Sequence, residues 1–542
     1  MDSKHVISES APPVLLLVVL VSLLFASAQY ESPVSSRFVP DISEPTWPPC
    51  QSGTDCAESK LCTTSSFDPE PVAEVWNITG ENRTFSSPHT ADLNADGILD
   101  IVIGTGIESP PNGSIVAING HDGSILWNVE TNQEMFSSAQ FGDLDGDGEI
   151  DVILGGRGQE LRAIDGQTGN EIWAFDATSP ERNHWYQFYT GQFIEDVDSD
   201  GINDWLTANG GDPTKAPTQE RGNGYLMVIS GSTGKILAIA DTPDGMETYM
   251  SPVIYNPHPE MATEILFGTG GETWHGGLWS TSLDAIMSGD ISGAKQIVPP
   301  EEGIEKGLIS PPIIVDLTRD EIQDIVVSMF DGRTIAIDGR DYSTIWEVDA
   351  KSHAMGGTSQ SAETWVTPAA GYFSPDSIPD IFVHYVIGTW PFYDSYWTAQ
   401  IDGATGTVSW SEETGHTSAS SPLAVDLTGD QRDEVVMIRG TAIVNENDSN
   451  SLQLTHELLI WNSCDFSNVS LFNREGISIA SPLVADLDND GYLDMISTST
   501  TSYESLAGAW TMHRTNLSVL APEIITWGAY MGTGYDGRIQ GA

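Results

Sequence analysis

The chain has few basic residues: 21 of its 542 residues are Lys or Arg, against 78 Asp or Glu, so the formal net charge is −57. A protein that binds nucleic acid through phosphate contacts needs a basic surface, so this class of function is excluded. Sustained helical periodicity is also absent, which argues against a helical bundle. With 39% hydrophobic residues and 16 Trp, the chain is nevertheless too apolar to be a disordered acidic tail. We expect it to fold as a β-rich protein.

Long hydrophobic runs are scarce as well. One apolar run, Val14 to Ala26, precedes the small residues Ser27 and Ala28. Because a membrane span needs about 20 apolar residues, this shorter run is typical of a signal peptide, with an uncleaved anchor as the alternative. We predict a signal peptide over 1–28, a Cys/Pro-rich lead-in over 29–70 and a repeat domain over 71–542. The mature chain is then secreted and has no transmembrane segment.

Cysteine is nearly absent too. Four cysteines permit two disulfides in any of three pairings, and the candidates are Cys50, Cys56, Cys62 and Cys464. Their spacing is not that of a zinc site. Six Asn-X-Ser/Thr sequons fit a secreted glycoprotein, and they lie at Asn77, Asn82, Asn112, Asn447, Asn468 and Asn516.

What the chain has is a repeat. A nine-residue acidic pattern, such as DLDGDGEID, starts at Asp92, Asp143, Asp196, Asp316, Asp426 and Asp486. Most copies follow a Ser-Pro pair at a fixed offset, and that offset places two decayed copies at Asn256 and Tyr372. The repeat therefore predicts eight units.

A strand, a Gly turn and a second strand lie between successive acidic loops, as in LRAIDGQTGNEIW. Each unit thus supplies four antiparallel strands, A and B around the acidic loop and then C and D around the Gly turn. Such a unit cannot bury both faces of its sheet alone, so neighbours must stack radially. We predict an all-β β-propeller of eight four-stranded blades, with seven as the alternative. Glu74 to Thr79 is expected to complete the last blade, or else the segment around Ile524 to Trp527.

The acidic loops, and Phe141-Gly142 before Asp143, resemble the FG-GAP/VCBS repeats of integrin α-like N-terminal propellers. The hairpins between the loops resemble those of quinoprotein propellers. The resemblance implies a calcium-binding, extracellular adhesion or recognition module.

Calcium prefers six to eight oxygen ligands, which the loops offer at positions 1, 3, 5 and 9, with a backbone carbonyl at position 7 and a Gly turn at position 6. About six Ca²⁺ sites are expected. Their predicted ligands are Asp92, Asn94, Asp96, Ile98, Asp100; Asp143, Asp145, Asp147, Glu149, Asp151; Asp196, Asp198, Asp200, Ile202, Asp204; Asp316, Thr318, Asp320, Ile322, Asp324; Asp426, Thr428, Asp430, Arg432, Glu434; and Asp486, Asp488, Asp490, Tyr492, Asp494. The alternative is that each Asp-Gly cluster is a simple β-turn, and the presence of six copies in register argues against it.

Aromatic and His residues collect in the D–A and B–C loops, which the strand order places on the opposite face from the acidic loops. The candidates for ligand binding are His184, Trp185, Tyr186, Trp274, His275, His353, Trp365, Trp390, Tyr393, Trp397 and His416. Such side chains stack on sugars or anchor protein partners. The alternative is that they pack between blades.

We therefore expect a secreted, calcium-binding recognition or adhesion module for an extracellular protein or a neutral glycan, because the acidic surface disfavours anionic partners. Cell-surface attachment would then come through a partner. The alternative is an extracellular enzyme on the same scaffold, a polysaccharide lyase or a quinone-dependent dehydrogenase. We favour the binding module because no catalytic motif is recognisable.

Overall fold

A computed structural model describes residues 73–540 apart from 109, 179–183, 213, 352–360, 391, 415–419, 446–447, 464–465 and 501–507. This part of the chain forms eight antiparallel sheets of four or five strands, arranged as a β-propeller. The prediction of eight blades is confirmed, and the alternative of seven is wrong. The decayed units at Asn256 and Tyr372 supply blades 4 and 6. Within the described residues, no helix is long and apolar enough to cross a membrane.

The strands follow the order A, B, C, D from the axis outward. The first strand, β1 (Ala73–Gly80), belongs to the last blade. Blades 1 to 4 contain β2 (His89–Ala91), β3 (Asp100–Glu108), β4 (Pro111–Ile118), β5 (Ile125–Thr131); β6 (Gln140–Gly142), β7 (Asp151–Gly155), β8 (Leu161–Ile164), β9 (Glu171–Ala174); β10 (Gln187–Phe188), β11 (Gln192–Ile194), β12 (Asp204–Gly210), β13 (Tyr225–Ile229), β14 (Ile236–Asp241); β15 (Val253–Tyr255), β16 (Glu264–Gly268), β17 (Leu278–Thr281) and β18 (Lys295–Val298).

The second half of the ring repeats this plan with longer B and C strands in blades 6 to 8. Blades 5 to 8 contain β19 (Ile313–Val315), β20 (Asp324–Ser328), β21 (Arg333–Ile337), β22 (Thr344–Asp349); β23 (Ala362–Glu363), β24 (Ala369–Gly371), β25 (Asp380–Thr389), β26 (Phe392–Ile401), β27 (Val408–Glu413); β28 (Leu423–Val425), β29 (Glu434–Asn445), β30 (Asp448–Trp461), β31 (Asn468–Glu475); β32 (Leu483–Ala485), β33 (Tyr492–Thr500) and β34 (Trp510–Leu520). A helix of five residues, α1 (Leu283–Met287), interrupts the β pattern in blade 4.

The ring closes through β1, which pairs with β34 as the D strand of blade 8. The prediction for Glu74 to Thr79 is therefore confirmed. The alternative, that the segment around Ile524 to Trp527 supplies this strand, is wrong because that segment lies across the propeller axis.

A Trp of the D strand ties each of several blades to the next. The indole N–H of Trp127 donates to the carbonyl of Gly166 at 2.7 Å, and that of Trp173 donates to Gly231 at 2.7 Å. The indole of Trp76 in β1 makes the same bond to Gly120 at 2.9 Å. The acceptor each time is the Gly of the next blade's C–D turn, and an added Cβ at Gly166 would lie 2.0 Å from the carbonyl oxygen of Ile150. The repeated Trp and Gly thus hold neighbouring blades in register.

Residues 521–540 cross the axis and pair with the A strands around it. Trp527 exchanges two backbone hydrogen bonds of 3.0 Å with Ala424 of blade 7, and the carbonyl of Gly537 accepts the N–H of Ile314 of blade 5 at 2.8 Å. On the side of blade 1, the ring of Tyr535 stacks on that of His89 at 3.7 Å. This segment therefore joins A strands of blades 1, 5 and 7.

Several predictions concern residues outside the described part of the chain. These are the signal peptide 1–28, the lead-in 29–70, Cys50, Cys56, Cys62, Cys464, the sequon at Asn447, and the candidates His353 and His416.

Candidate functional site

The six acidic loops share one backbone conformation. Their fourth and sixth residues all have positive φ, namely Ala95, Gly97, Gly146, Gly148, Ser199, Gly201, Arg319, Glu321, Gly429, Gln431, Asn489 and Gly491. Positive φ is strained for residues other than Gly. The loop in blade 5 nevertheless keeps it at Glu321, with φ of 68°. The same turn geometry is therefore kept where the Gly is lost.

The loop of blade 2 shows how the carboxylates are held. Asp143 accepts the N–H of Gly146 at 2.7 Å on one oxygen and that of Gly148 at 3.1 Å on the other. Carboxylate oxygens of Asp143, Asp145 and Asp151 lie within 4.8 Å of one another. Like charges at this separation repel unless a cation lies between them.

The same clustering occurs in two further loops, through Asp196, Asp198 and Asp204 and through Asp486, Asp488 and Asp490. These three loops have Asp at position 3. The other three loops have Asn94, Thr318 or Thr428 there.

The ninth residue of the loop also has a role in the fold. Asp151 is buried and accepts the N–H of Leu144 at 2.8 Å and that of Gly166, in the C–D turn, at 3.3 Å. Burial, with the nearby Asp145 and Asp147, raises the pKa of Asp151 to about 6. A bound cation would oppose this rise by favouring the charged carboxylate.

In blade 6, the residue at position 9 keeps its structural role as a hydrogen-bond acceptor although the acidic pattern of the loop has decayed. This loop retains Asp380, which accepts the N–H of Gly403 at 3.0 Å, and burial raises the pKa of Asp380 to about 7. The ninth carboxylate thus joins the A–B loop to the C–D turn even without the acidic loop. Positions 1, 3 and 5 are the ones that distinguish a cation site.

The donor set fits a hard divalent cation, because the side-chain ligands are carboxylate, amide and hydroxyl oxygens. In blade 1, Asp92, Asn94, Asp96 and Asp100 would hold the ion. In blade 3, Asp196, Asp198, Asp200 and Asp204 occupy the same positions.

Blade 8 differs because an arginine enters its loop. Arg514, on β34, is 1% exposed. Its guanidinium lies 2.5 Å from Oδ2 of Asp488 and 2.7 Å from Oδ2 of Asp494, and it also donates to the carbonyl of Gly120 at 2.8 Å. Two of the four predicted side-chain ligands of this loop are therefore already paired with a cation of the chain.

The loops of blades 5 and 7 lie between those of blades 2 and 8 in how far their carboxylates are compensated. In blade 5, Nε of Arg340 lies 2.8 Å from Oδ2 of Asp320, but this arginine is exposed. In blade 7, Glu434 replaces the ninth Asp, and burial with the neighbouring Asp430 and Asp426 raises the pKa of Glu434 to about 8.

An axial cavity opens on the opposite face, where the A strands begin. It has a volume of about 240 Å³ and is lined by residues of all eight blades, with Tyr530 of the crossing segment at its floor. In seven blades the residue four positions before the end of the A strand carries a hydroxyl, and blade 5 has Pro311 there. These hydroxyl residues are Ser87, Ser138, Thr190, Ser251, Thr367, Ser421 and Ser481.

Buried ion pairs surround the mouth of this cavity. Glu134, Glu247 and Glu363 stand eight residues before the ends of the A strands of blades 2, 4 and 6, and all are buried. Burial favours the neutral form of Glu134, but Arg157 and Arg83 outweigh it and lower its pKa.

The negative charges of Glu247 and Glu363 are less well compensated by basic side chains than that of Glu134. Burial raises the pKa of Glu247 to about 8, since the nearest guanidinium nitrogen of Arg221 is 3.9 Å away. Burial also raises the pKa of Glu363, although Lys306 lies 2.6 Å from it and opposes the shift.

The predicted ligand-binding residues that the structure describes do not form one platform. Trp365 lines the cavity, and Trp390 and Tyr393 belong to the apolar cluster behind it. Trp185 is buried edge-on against Phe175 at 4.9 Å, as the packing alternative expected.

The remaining described candidates lie elsewhere. Trp274 donates to the carbonyl of Pro217 at 2.9 Å, and Trp397 donates to Oγ of Ser395 at 3.1 Å. His275 is paired with the exposed Glu305 at 2.9 Å. His184 is exposed and Tyr186 is half-buried, and neither lines the cavity.

Sequence reasoning missed most of the cavity. Its other aromatic walls, Phe85, Phe136, Tyr189 and Tyr249, lie in the segments that lead into the A strands. The Ser-Pro pair that recurs at a fixed offset in four blades was the available signal, because its Ser, namely Ser87, Ser251, Ser421 or Ser481, belongs to the ring of hydroxyls.

These features define an eight-bladed β-propeller with acidic A–B loops. The chain belongs to the FAM234A/B beta-propeller family, whose model matches residues 99–475. It is 26% identical to Protein FAM234B of Gallus gallus over 182 residues, which cover 31% of this chain and 28% of that protein. It is 31% identical to Integrin alpha-2 of Bos taurus over 99 residues, which cover 15% of this chain and 8% of that protein. The matches thus span about a quarter or less of these relatives.

Solved structures show the same fold. The quinohemoprotein alcohol dehydrogenase of Comamonas testosteroni superposes with a TM-score of 0.54 at 12% identity, covering 86% of this chain and 80% of that one. A europium-containing methanol dehydrogenase superposes with a TM-score of 0.51 at 12% identity, covering 81% of this chain and 85% of that one. At this identity the likeness concerns the fold alone.

Proposed function

We propose that this chain is a calcium-stabilised propeller of the FG-GAP kind that acts outside the cell as a recognition or adhesion module. The observation that carries the proposal is the clustering of carboxylate oxygens within 4.8 Å in loops of one conformation, as at Asp143, Asp145 and Asp151. Uncompensated, this clustering is repulsive, and Ca²⁺ both removes the repulsion and prefers these ligands.

The division of the molecule into two faces supports a recognition role. The acidic loops join the A and B strands on one face, where bound calcium would fix the blades. The opposite face carries the mouth of the axial cavity and is left for a partner, since rigid scaffolds commonly present binding residues on their loops. The short match to an integrin α-subunit is in keeping with this role.

The extracellular location rests on the predicted signal peptide and on the sequons. Asn77, Asn112 and Asn468 are exposed, while Asn82 and Asn516 are half-buried. Exposed sequons are available to glycosylation in the secretory pathway.

A binding screen tests the proposal. The secreted full chain would be presented to a glycan array and to a library of extracellular protein domains, in buffer with calcium and in buffer with EDTA. We expect retention of a protein or a neutral glycan in calcium, reduced in EDTA. Cleavage of an offered polysaccharide, or dye reduction with an alcohol and a quinone cofactor, would instead assign the chain to the enzyme class.

A further inference from the structure

The wall of the axial cavity combines large apolar side chains, most of them aromatic, with Ser and Thr. Its large apolar side chains come from seven different blades and are Phe85, Phe136, Tyr189, Tyr249, Ile309, Trp365 and Ile479. Phe85, Phe136 and Trp365 are only half-buried, so part of each ring is open to the cavity. Pockets with apolar walls and a few placed polar groups are typical ligand sites, and water alone fills them poorly.

Hydroxyl groups lie below the aromatic level. Oγ of Ser87 accepts the N–H of Ser481 at 3.0 Å, and Oγ of Ser481 accepts the N–H of Ser421 at 3.0 Å. Oγ1 of Thr190 accepts the N–H of Ser138 at 3.0 Å. A hydroxyl that accepts a hydrogen bond keeps its own proton for donation. These three hydroxyls can therefore donate to a ligand oxygen.

Thr367 supplies the most direct sign of a ligand. It lines the cavity and is 2% exposed, and its Oγ1 has no hydrogen-bond partner in the described part of the chain. A buried hydroxyl without a partner is unfavourable, so a ligand atom here would satisfy it.

The charges around the cavity select a neutral ligand. Guanidinium groups already cover rings of the wall, with Arg83 at 4.7 Å from the centre of Phe85 and Arg157 at 5.1 Å from that of Phe136. A second cation on such a ring would be repelled by the first. Anions are disfavoured by the net charge of −57.

We propose that the axial cavity binds the terminal pyranose ring of a neutral glycan. This inference rests on the proposed recognition role and names the ligand class and the site. The aromatic wall takes the apolar C–H face of the ring, in the way that aromatic side chains combine large apolar contact with defined geometry. The hydroxyls of Ser87, Thr190, Ser481 and Thr367 bond the sugar oxygens beneath it.

The experiment measures binding of methyl pyranosides and short neutral oligosaccharides to the calcium-loaded full chain by saturation-transfer NMR and titration calorimetry. Glucuronic acid and glucosamine serve as charged counterparts of the neutral sugars. We expect one neutral sugar to bind per chain and both charged sugars to bind more weakly. Trp365→Leu should abolish detectable binding, because it removes an aromatic wall.

Thr367→Val is the sharper variant, since it removes a hydroxyl that holds no bond within the described structure. It should weaken sugar binding roughly 3- to 10-fold and leave folding unchanged. Thr398→Val is its matched control, because Thr398 is fully buried and without a partner for its hydroxyl, but it lies in β26 outside the cavity lining. This control should bind sugar as the unmodified chain does.

Three results would overturn the proposal: no binding of any neutral pyranoside by the folded chain, equal or tighter binding of a charged sugar, or equal losses in Thr367→Val and Thr398→Val. A chain that retains an extracellular protein partner but binds no pyranoside would overturn the cavity assignment and leave the recognition role standing. A chain that binds neither would contradict both.

Discussion

The acidic loops of blade 2 and blade 8 are nearly the same in sequence and differ in charge balance. Both begin with Asp-Leu-Asp, and both bring three carboxylates within 4.8 Å. In blade 8 the buried guanidinium of Arg514 pairs with Asp488 and Asp494. In blade 2 the described structure shows no ion pair to the loop carboxylates Asp143 and Asp145. The chain supplies a counter-charge to the loop of blade 8, and the described residues supply none to the loop of blade 2.

The difference shows that one acidic motif can occur with or without a cation of the chain beside its carboxylates. Arg514 belongs to the C strand, and it also bonds the carbonyl of Gly120 in blade 1. That carbonyl is the acceptor of the Trp76 indole as well. In blade 8, charge compensation is thus combined with closure of the ring, so we expect its loop to depend less on calcium than the loop of blade 2.

Removal of calcium should have the largest effect. We expect EDTA to lower the Tm by about 10 °C relative to excess CaCl₂, because several sites lose a ligand that binds only the folded state. Hydrogen exchange should rise more in residues 143–155 than in residues 486–500. Excess MgCl₂ is the control and should restore little. An unchanged melting curve would contradict calcium binding, and equal exchange in both segments would remove the contrast between the blades.

Arg514→Met should have the next largest effect. It leaves the buried carboxylate of Asp494 and the half-buried carboxylate of Asp488 without a cation. We expect a loss of about 3–5 kcal/mol in the free energy of unfolding in EDTA, measured by urea denaturation. Calcium should recover part of this loss by taking the place of the guanidinium.

The matched control for this change is Arg439→Met, which breaks a more exposed pair with Glu457. It should cost under about 1 kcal/mol. Similar small losses for both variants would show that Arg514 does not balance the blade 8 loop.

Single substitutions at the third residue of an acidic loop should have the smallest effect on stability. Asp145→Asn in blade 2 weakens one calcium site, and we expect a loss of about 1–2 kcal/mol in calcium that disappears in EDTA. Asp488→Asn in blade 8 removes one partner of Arg514 instead, so its cost should be the same with and without calcium. The Tm of each variant is measured in calcium and in EDTA, and each variant serves as the control for the other. A calcium-dependent loss for Asp488→Asn would place a metal ion in blade 8 as well.

Much of the fold was predictable, because each blade repeats local signals. The Ser-Pro offset located blades 4 and 6 although their acidic loops have decayed, and Asp380 shows that one carboxylate survives there for a structural reason. The register of β1 was predictable too, since its Trp76 matches the D-strand Trp of the other blades.

The site was less predictable, because its parts lie far apart in the chain. Asp488 lies in the A–B loop of blade 8, whereas Arg514 lies 26 residues further on in the C strand, where no motif marks it. The cavity takes one or a few residues from each blade, so no single segment resembles a binding motif. The Trp-rich loops carry the more recognisable pattern, but among the candidates in the described part of the chain Trp365 alone lines the cavity.

The pairing of β1 with β34 joins residues such as Thr79 and Thr511, which are 432 positions apart. During synthesis β1 emerges before the other described strands, and its partner β34 emerges only after the first seven blades. Throughout that time it presents an unpaired strand edge, which is open to wrong partners, including the edges of blades made before its own. Biogenesis of this propeller therefore includes an interval in which β1 has no partner strand, and the ring can close only after β34 has been made.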